Sequence, residues 1–149
     1  MTILEKLSAD IKEAMKARDQ LRLDTLRSGL SALKYKRVEL ARDLNHEEEL
    51  AVLQKQVKQR SDSIAEYIKA GRTDLSDKET REREILMSYL PTQKSEEEVR
   101  QIVRRLIAEI PGQNRNQGAV MKVVMPQLKG LADGAMVRQV VNDELKGDS

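Results

Sequence analysis

The sequence predicts an all-α protein: an N-terminal helical bundle of about four helices followed by a small C-terminal three-helix subdomain. Three observations carry this reading. Apolar residues recur in steps of three and four along nearly the whole chain. Ser, Thr, Asn or Asp stands before most of those runs, where helices start. No segment shows the strict apolar–polar alternation of a strand, and no internal repeat is evident. Aromatic residues make up only 2% of the chain, as Tyr35, Tyr67 and Tyr89, so the core has to be built from Leu, Ile, Val and Met.

Thr2-Ile3-Leu4-Glu5 is a capping box, with the hydroxyl and the carboxylate satisfying each other's backbone N–H groups. The first helix runs from it to about Arg18, with Leu4, Leu7, Ile11, Ala14 and Met15 on one side. Asp19 is the cap expected for the second helix, striped by Leu23, Leu26, Leu30 and Leu33. Asn45 to Glu48 opens the third, which steps through Leu50, Leu53, Val57, Ile64 and Tyr67 or Ile68, with Arg60 interrupting the pattern. Gly71 is placed to end it in a left-handed conformation. Ser76-Asp77-Lys78-Glu79 reads as the box that starts the fourth helix, carrying Ile85, Leu86 and Tyr89 and stopping before Pro91.

Pro91-Thr92-Gln93-Lys94 reads as the boundary between a part spanning 1–91 and one spanning 95–147. Ser95-Glu96-Glu97-Glu98 opens the fifth helix, which buries Val99, Ile102, Val103, Leu106 and Ile110 and ends at Pro111-Gly112. A short sixth helix follows with Val120, Met121, Val124 and Met125, and Pro126 near its end. Asp133 is the expected cap of the last helix, with Val137, Val140, Val141 and Leu145. Met121, Met125 and Met136 read as core filling rather than metal or cofactor contacts.

The residue inventory argues against catalysis by this chain alone. It has no cysteine, hence no disulfide, thiolate metal site or thiol nucleophile. Its single histidine, His46, is expected in a loop at a helix start with no nucleophile or base partner, and one histidine cannot supply a two-metal carboxylate bundle. Neither Gly-rich phosphate-loop pattern occurs. Glu47 to Glu49 and Glu79, Glu82 and Glu84 read as acids in the first turns of helices. No cofactor and no metal are expected. The charged N-terminus lacks a signal-peptide apolar segment and no apolar run is long enough to span a bilayer, so a cytoplasmic protein without membrane contact is the simplest expectation.

The net charge is only +2, but it is unevenly placed. Residues 16–42 hold eight basic and three acidic residues, and residues 99–142 hold seven and two. Such stretches face an anionic partner or are solvated helix faces.

The stretch Glu79-x-x-Glu82-x-x-Ile85-Leu86-x-x-Tyr89-Leu90-Pro91 resembles the YqeY family. So do Gly118-x-Val120-Met121-Lys122, Lys129-Gly130-x-Ala132-Asp133-Gly134, and the order Lys55, Arg60, Asp62, Ile64 and Gly71-Arg72-x-Asp74-Leu75. The likeness covers essentially the whole chain. That family is similar in turn to the tail region of GatB, a subunit of the glutamine-dependent tRNA amidotransferase, in which the tail contacts tRNA and the chemistry lies elsewhere. The resemblance therefore implies an accessory module for tRNA or other structured RNA. Carbon–nitrogen ligase activity with glutamine as amido donor then attaches to the chain by association and not through its own active site. Where the GatB tail typically carries a proline after its K-G-x-A segment, this chain has Gly134 following Asp133, as in free-standing family members.

The candidate RNA-binding residues are Arg100, Arg104, Arg115, Gly118, Lys122, Lys129 and Gly130. Gly118, near a helix start, leaves backbone amides open to an anion, and Lys122 follows one turn later. Arg100 and Arg104 are four apart and share a helix face. Contacts of this kind position a phosphate backbone and carry little base information. With so few aromatics, shape recognition fits better than base stacking. The bland alternative is that the glycines shape helix ends and the basic residues only solubilise. A helical protein–protein adaptor without RNA binding is the competing function, with an apolar groove between the two parts as its signature. DNA binding through the last two helices ranks lower, because Asp133 at the start of the final helix would face phosphates.

Overall fold

The computed structural model describes residues 1–147. These residues form seven α-helices, a single 3-10 turn and no strand, so the protein is all-α. The chain divides into two compact units, Met1–Pro91 and Thr92–Ser149.

The first unit contains α1 (Ile3–Ala17), α2 (Gln20–Leu40), α3 (His46–Lys69) and α4 (Thr73–Met87). Leu7, Leu26, Leu33, Leu53 and Leu86 are fully buried at its centre, with Ile3, Ala14, Leu23, Leu50, Tyr89 and Leu90 around them. Leu4, Ile11, Leu30 and Val57 pack against this core from partly buried positions. Met15, expected on the inner side of α1, is 53% exposed, and on α3 Tyr67 is half-buried while Ile68 points outward.

Helix starts follow the local chemistry closely. Thr2 and Asn45 each form a complete capping box, with Glu5 and Glu48 respectively, and Asp19 accepts from Arg22 N–H at 3.2 Å. The box expected at Ser76-Asp77-Lys78-Glu79 does not form. Gly71, at φ 72°, turns the chain at once, and Arg72 N–H bonds back to Tyr67 O at 2.8 Å. α4 therefore begins a turn early at Thr73, and Ser76 lies inside it, buried, its hydroxyl donating to Thr73 O at 3.1 Å. As a consequence Glu79, Glu82 and Glu84 are not first-turn acids.

Glu49 lies in the first turn of α3, as expected, and also reaches a second helix. It is 3% exposed, and its carboxylate accepts from Ile3 N–H at 3.3 Å and Leu4 N–H at 2.9 Å. A side chain of α3 thus satisfies two of the donors that the start of α1 leaves open. Arg60, which interrupts the apolar stepping of α3, pairs with Glu82 of α4 at 3.7 Å, and Arg83 donates to Ser61 Oγ at 3.1 Å. Tyr89, just after α4, donates to an Asp10 carboxylate oxygen and has Lys6 Nζ 5.3 Å from its ring centre. Burial, and then the neighbouring Asp10 carboxylate, hold the Tyr89 phenol well above its ordinary pKa.

The second unit contains α5 (Glu96–Glu109), the 3-10 turn Gly112–Asn114, α6 (Gln117–Leu128) and α7 (Gly134–Gly147). Its core is rich in valine: Val99, Val103, Val120, Val124, Val137, Val140 and Val141, with Leu106, Ile107, Leu128 and Ala132. Met121, Met125 and Met136 pack against it from partly buried positions, which fits their reading as filler. Ser95 forms the expected capping box with Glu98, and Asp133 accepts from Met136 N–H at 3.2 Å to cap α7. Pro126 lies near the end of α6, as expected, and removes the N–H that would otherwise bond Lys122 O.

Candidate nucleic-acid interface

The seven candidate residues all lie in the second unit, and the structure sorts them into three kinds. Arg100 and Arg104 sit one turn apart on α5 and both reach Glu144 of α7. Arg100 Nη1 donates to one Glu144 oxygen at 2.8 Å and Arg104 Nε to the other at 2.8 Å. Arg100 also pairs with Glu96 at 3.1 Å and Asp143 at 3.7 Å. These hydrogen bonds, Arg104's first, hold the Glu144 carboxyl below its ordinary pKa. The two arginines thus form a clamp between α5 and α7 whose charge is met by carboxylates.

Arg115 is half-buried in the loop before α6 and is also engaged. Its Nε donates to Ile110 O at 2.8 Å, one of the carbonyls that the end of α5 leaves open. Arg104, Arg115 and Glu144, with Ile107 and Ala108, line a hollow of about 320 Å³. Positive charge and a carboxylate face it together.

Gly130 has a conformational task. Its φ is 80°, and its carbonyl accepts from the Gln93 side-chain amide at 2.9 Å, while Lys94 N–H bonds Leu131 O at 2.7 Å. The Lys129-Gly130-Leu131 segment therefore ties the stretch before α5 to the turn after α6. Lys129 itself is exposed at the end of α6, its N–H bonded to Met125 O.

Gly118 and Lys122 form the remaining pair. Asn116 caps α6 through Ala119 N–H at 2.9 Å, which leaves Gln117 and Gly118 at the open helix start. Gly118 is exposed, and a Cβ there would meet nothing closer than Asn116 Oδ1 at 3.5 Å. Packing thus leaves that face open. Lys122, four residues on along the same face, is exposed and has no acid within ion-pair distance among the described residues.

Two further cations share this state and escaped the sequence reading: Arg105 and Arg138 are exposed, and no acid among the described residues lies within ion-pair distance of either. Their signal was available in the helical period. Arg105 is two residues past Val103 and one before Leu106, on a face that α5 does not bury. Glu144 was also missed as a partner, and it too left a trace, since an acid in the last turn of α7 opposes the helix dipole and needs a compensating cation. Among the described residues no cluster of His, Asp and Glu is arranged to hold a metal ion, and no helix is long and apolar enough to cross a membrane.

Comparison with known proteins places the chain. The Yqey-like protein family matches residues 4–145. Similar curated proteins include "Altered inheritance of mitochondria protein 41, mitochondrial" of Pyrenophora tritici-repentis, 32% identical over 134 residues, which are 87% of this chain and 73% of that protein. The protein of the same name from Kluyveromyces lactis is 40% identical over 67% of this chain and 56% of its own length. That of Vanderwaltozyma polyspora is 38% identical over 56% of this chain and 46% of its own length. The chain spans about half the length of these last two relatives. With a match running from α1 into α7 and an all-α fold beneath it, the chain belongs to the Yqey-like protein family.

Proposed function

We propose that this protein is an accessory module that binds tRNA, or an RNA folded like it, in association with a glutamine-dependent tRNA amidotransferase. It contributes no active site of its own, and the carbon–nitrogen ligase chemistry belongs to the enzyme it accompanies. The observation that carries this reading is the open start of α6, where Gly118 leaves the backbone uncovered and Lys122 projects from the next turn without an acid partner. Helix-start amides and an unneutralised cation together suit a phosphate. The likeness of Gly118-x-Val120-Met121-Lys122 to the GatB tail supports the choice of RNA.

Arg100 and Arg104 play a lesser part, because Glu144, Glu96 and Asp143 already meet their charge. The contacts expected are to phosphate and sugar, so recognition reads shape. The cytoplasmic placement belongs to the same proposal. Its relatives are named as mitochondrial proteins, so an organelle interior with its own tRNA is the alternative compartment. A chain without cysteine suits either.

Filter binding of tRNA across a salt series tests the proposal. Affinity falls steeply with ionic strength, and Lys122→Glu weakens binding and flattens the salt slope by about one phosphate's worth. Lys122 is a cleaner probe than Arg104, whose reversal would also set two acids face to face in the α5–α7 clamp. No detectable binding by the parent chain at low salt sinks the reading. Reproducible glutaminase activity of the purified chain, lost on changing one of its own residues, overturns the non-catalytic half.

A further inference from the structure

The first unit carries a surface that neither its core nor the proposed RNA site uses. Between α2 and α3 lies an open groove of about 490 Å³, lined by Ala32, Tyr35, Ala51 and Val52 with Lys36 and Lys55 among its polar residues. Tyr35 is 75% exposed, and Val38, three residues on along the same face of α2, is 77% exposed. Among the large apolar residues described, only Met1 is more exposed. The inward face of α2 is already supplied by Leu23, Leu26 and Leu33. α2 therefore has a second apolar strip that points away from the core, and it adjoins the groove. Apolar side chains held in water beside an apolar recess mark a surface that a partner covers.

Charge says which partner. The acids at this surface are already engaged: Glu39 pairs with Lys36 at 3.4 Å, and Glu48 takes both ends of the Arg42 guanidinium at 2.8 Å. Lys34 and Lys55 are exposed, and no acid among the described residues lies within ion-pair distance of either. The charge left uncompensated around the apolar strip is positive. Ala32, Tyr35, Ala51 and Val52 give the groove an apolar strip beside Lys36, Lys55, Gln56 and Gln59, so an occupant with both aliphatic and acidic side chains fits it.

We propose that the α2–α3 groove docks an acidic amphipathic helix of a partner protein. Its apolar residues, spaced by three and four, cover Tyr35, Val38 and the Ala51–Val52 recess, and its carboxylates meet Lys34 and Lys55. The site is independent of the RNA reading: it lies in the first unit and uses no residue of α6.

Fluorescence anisotropy with the full chain tests it. The probe is a fluorescein-labelled designed peptide of roughly four helical turns, with leucines on one face and glutamates elsewhere, against a permuted peptide of the same composition. The designed peptide binds saturably, at about 10–100 μM, and the permuted one at least about tenfold more weakly. The double variant Tyr35→Ser, Val38→Ser loses about tenfold in affinity, and Lys55→Glu loses affinity mainly at low salt. Thermal melting stays at the parent temperature in both variants, since the altered side chains are exposed. Lys122→Glu leaves peptide binding unchanged, whatever it does to tRNA. Failure of the parent to bind the designed peptide, or equal binding by the double variant or of the permuted peptide, overturns the proposal. Displacement of the peptide by tRNA also overturns it and assigns the surface to RNA.

Discussion

Gly29 is a point of close approach between helices of the first unit. A Cβ at this position would lie 3.1 Å from Leu86 Cδ2, 3.7 Å from Leu53 Cδ2 and 3.7 Å from Leu7 Cδ1, so α1, α3 and α4 all converge on the one α2 residue without a side chain. Glycine in mid-helix sacrifices up to about 1 kcal/mol of helix propensity relative to alanine. The close approach accounts for that sacrifice. Gly29→Leu has nowhere to place four more carbons among fully buried leucines, and it is expected to destabilise by about 1–3 kcal/mol or more, read from urea unfolding. Glu49 makes a different kind of demand. Glu49→Ala leaves Ile3 N–H and Leu4 N–H without their acceptor and costs about 1–3 kcal/mol, while Glu49→Gln keeps one carbonyl oxygen and loses less. Hydrogen exchange at the amides of residues 3 and 4 checks this directly, since both should lose protection in the alanine variant first. Neither residue announced its role in the sequence. Gly29 sits inside a regular leucine stripe, and Glu49 is the third of three consecutive glutamates, so only the fold separates it from Glu47 and Glu48.

At the scale of the element, what the sequence shows and hides follows the range of the interaction. Capping boxes are contacts over three residues, and those at Thr2, Asn45 and Ser95 form as their local pattern dictates. The Ser76 box fails because a second local signal, the left-handed Gly71, acts earlier in the chain and starts α4 first. The clamp joining α5 to α7 spans 40 to 44 residues of sequence, so its arginines read as a free basic face until α7 is placed beside them. That clamp has a pH signature. The folded-state pKa of Glu144 lies below its ordinary 4.5, so its contribution is complete above about that pH and disappears as acid protonates it through the lower folded value. Glu48 behaves alike in the first unit, with its pKa drawn down to about 2 by the Arg42 hydrogen bonds and then by Asn45 N–H. Nuclear magnetic resonance of the Arg104 side-chain Nε–H is the sensitive probe. Its exchange protection should fall away in acid, below the ordinary carboxylate value of 4.5, in the parent and be largely independent of acid in Glu144→Gln.

At the scale of the whole molecule, the fold class was legible because amphipathic periodicity is written into every helix, whereas the surface was not. Exposure of Tyr35 and Val38 cannot be read from apolar character alone, since period arguments assign apolar residues inward. The two apolar cores share no residue, one ending at Leu90 and the other beginning at Val99. Each is therefore expected to respond to its own substitutions. Val103 is fully buried among the valines of the second unit. Val103→Ala removes about two methyl-sized groups there, and transfer plus cavity terms put the cost at about 2 kcal/mol. A loss of that size is a large fraction of what a core drawn from fewer than sixty residues supplies. Native-state hydrogen exchange resolves the consequence amide by amide. Protection should drop across α5, α6 and α7 together, with the amides of α2 and α3 unchanged, and Gly29→Leu should give the reverse pattern. If either substitution lowered protection equally in all seven helices, the chain would be a single cooperative unit, and the two cores would share one stability.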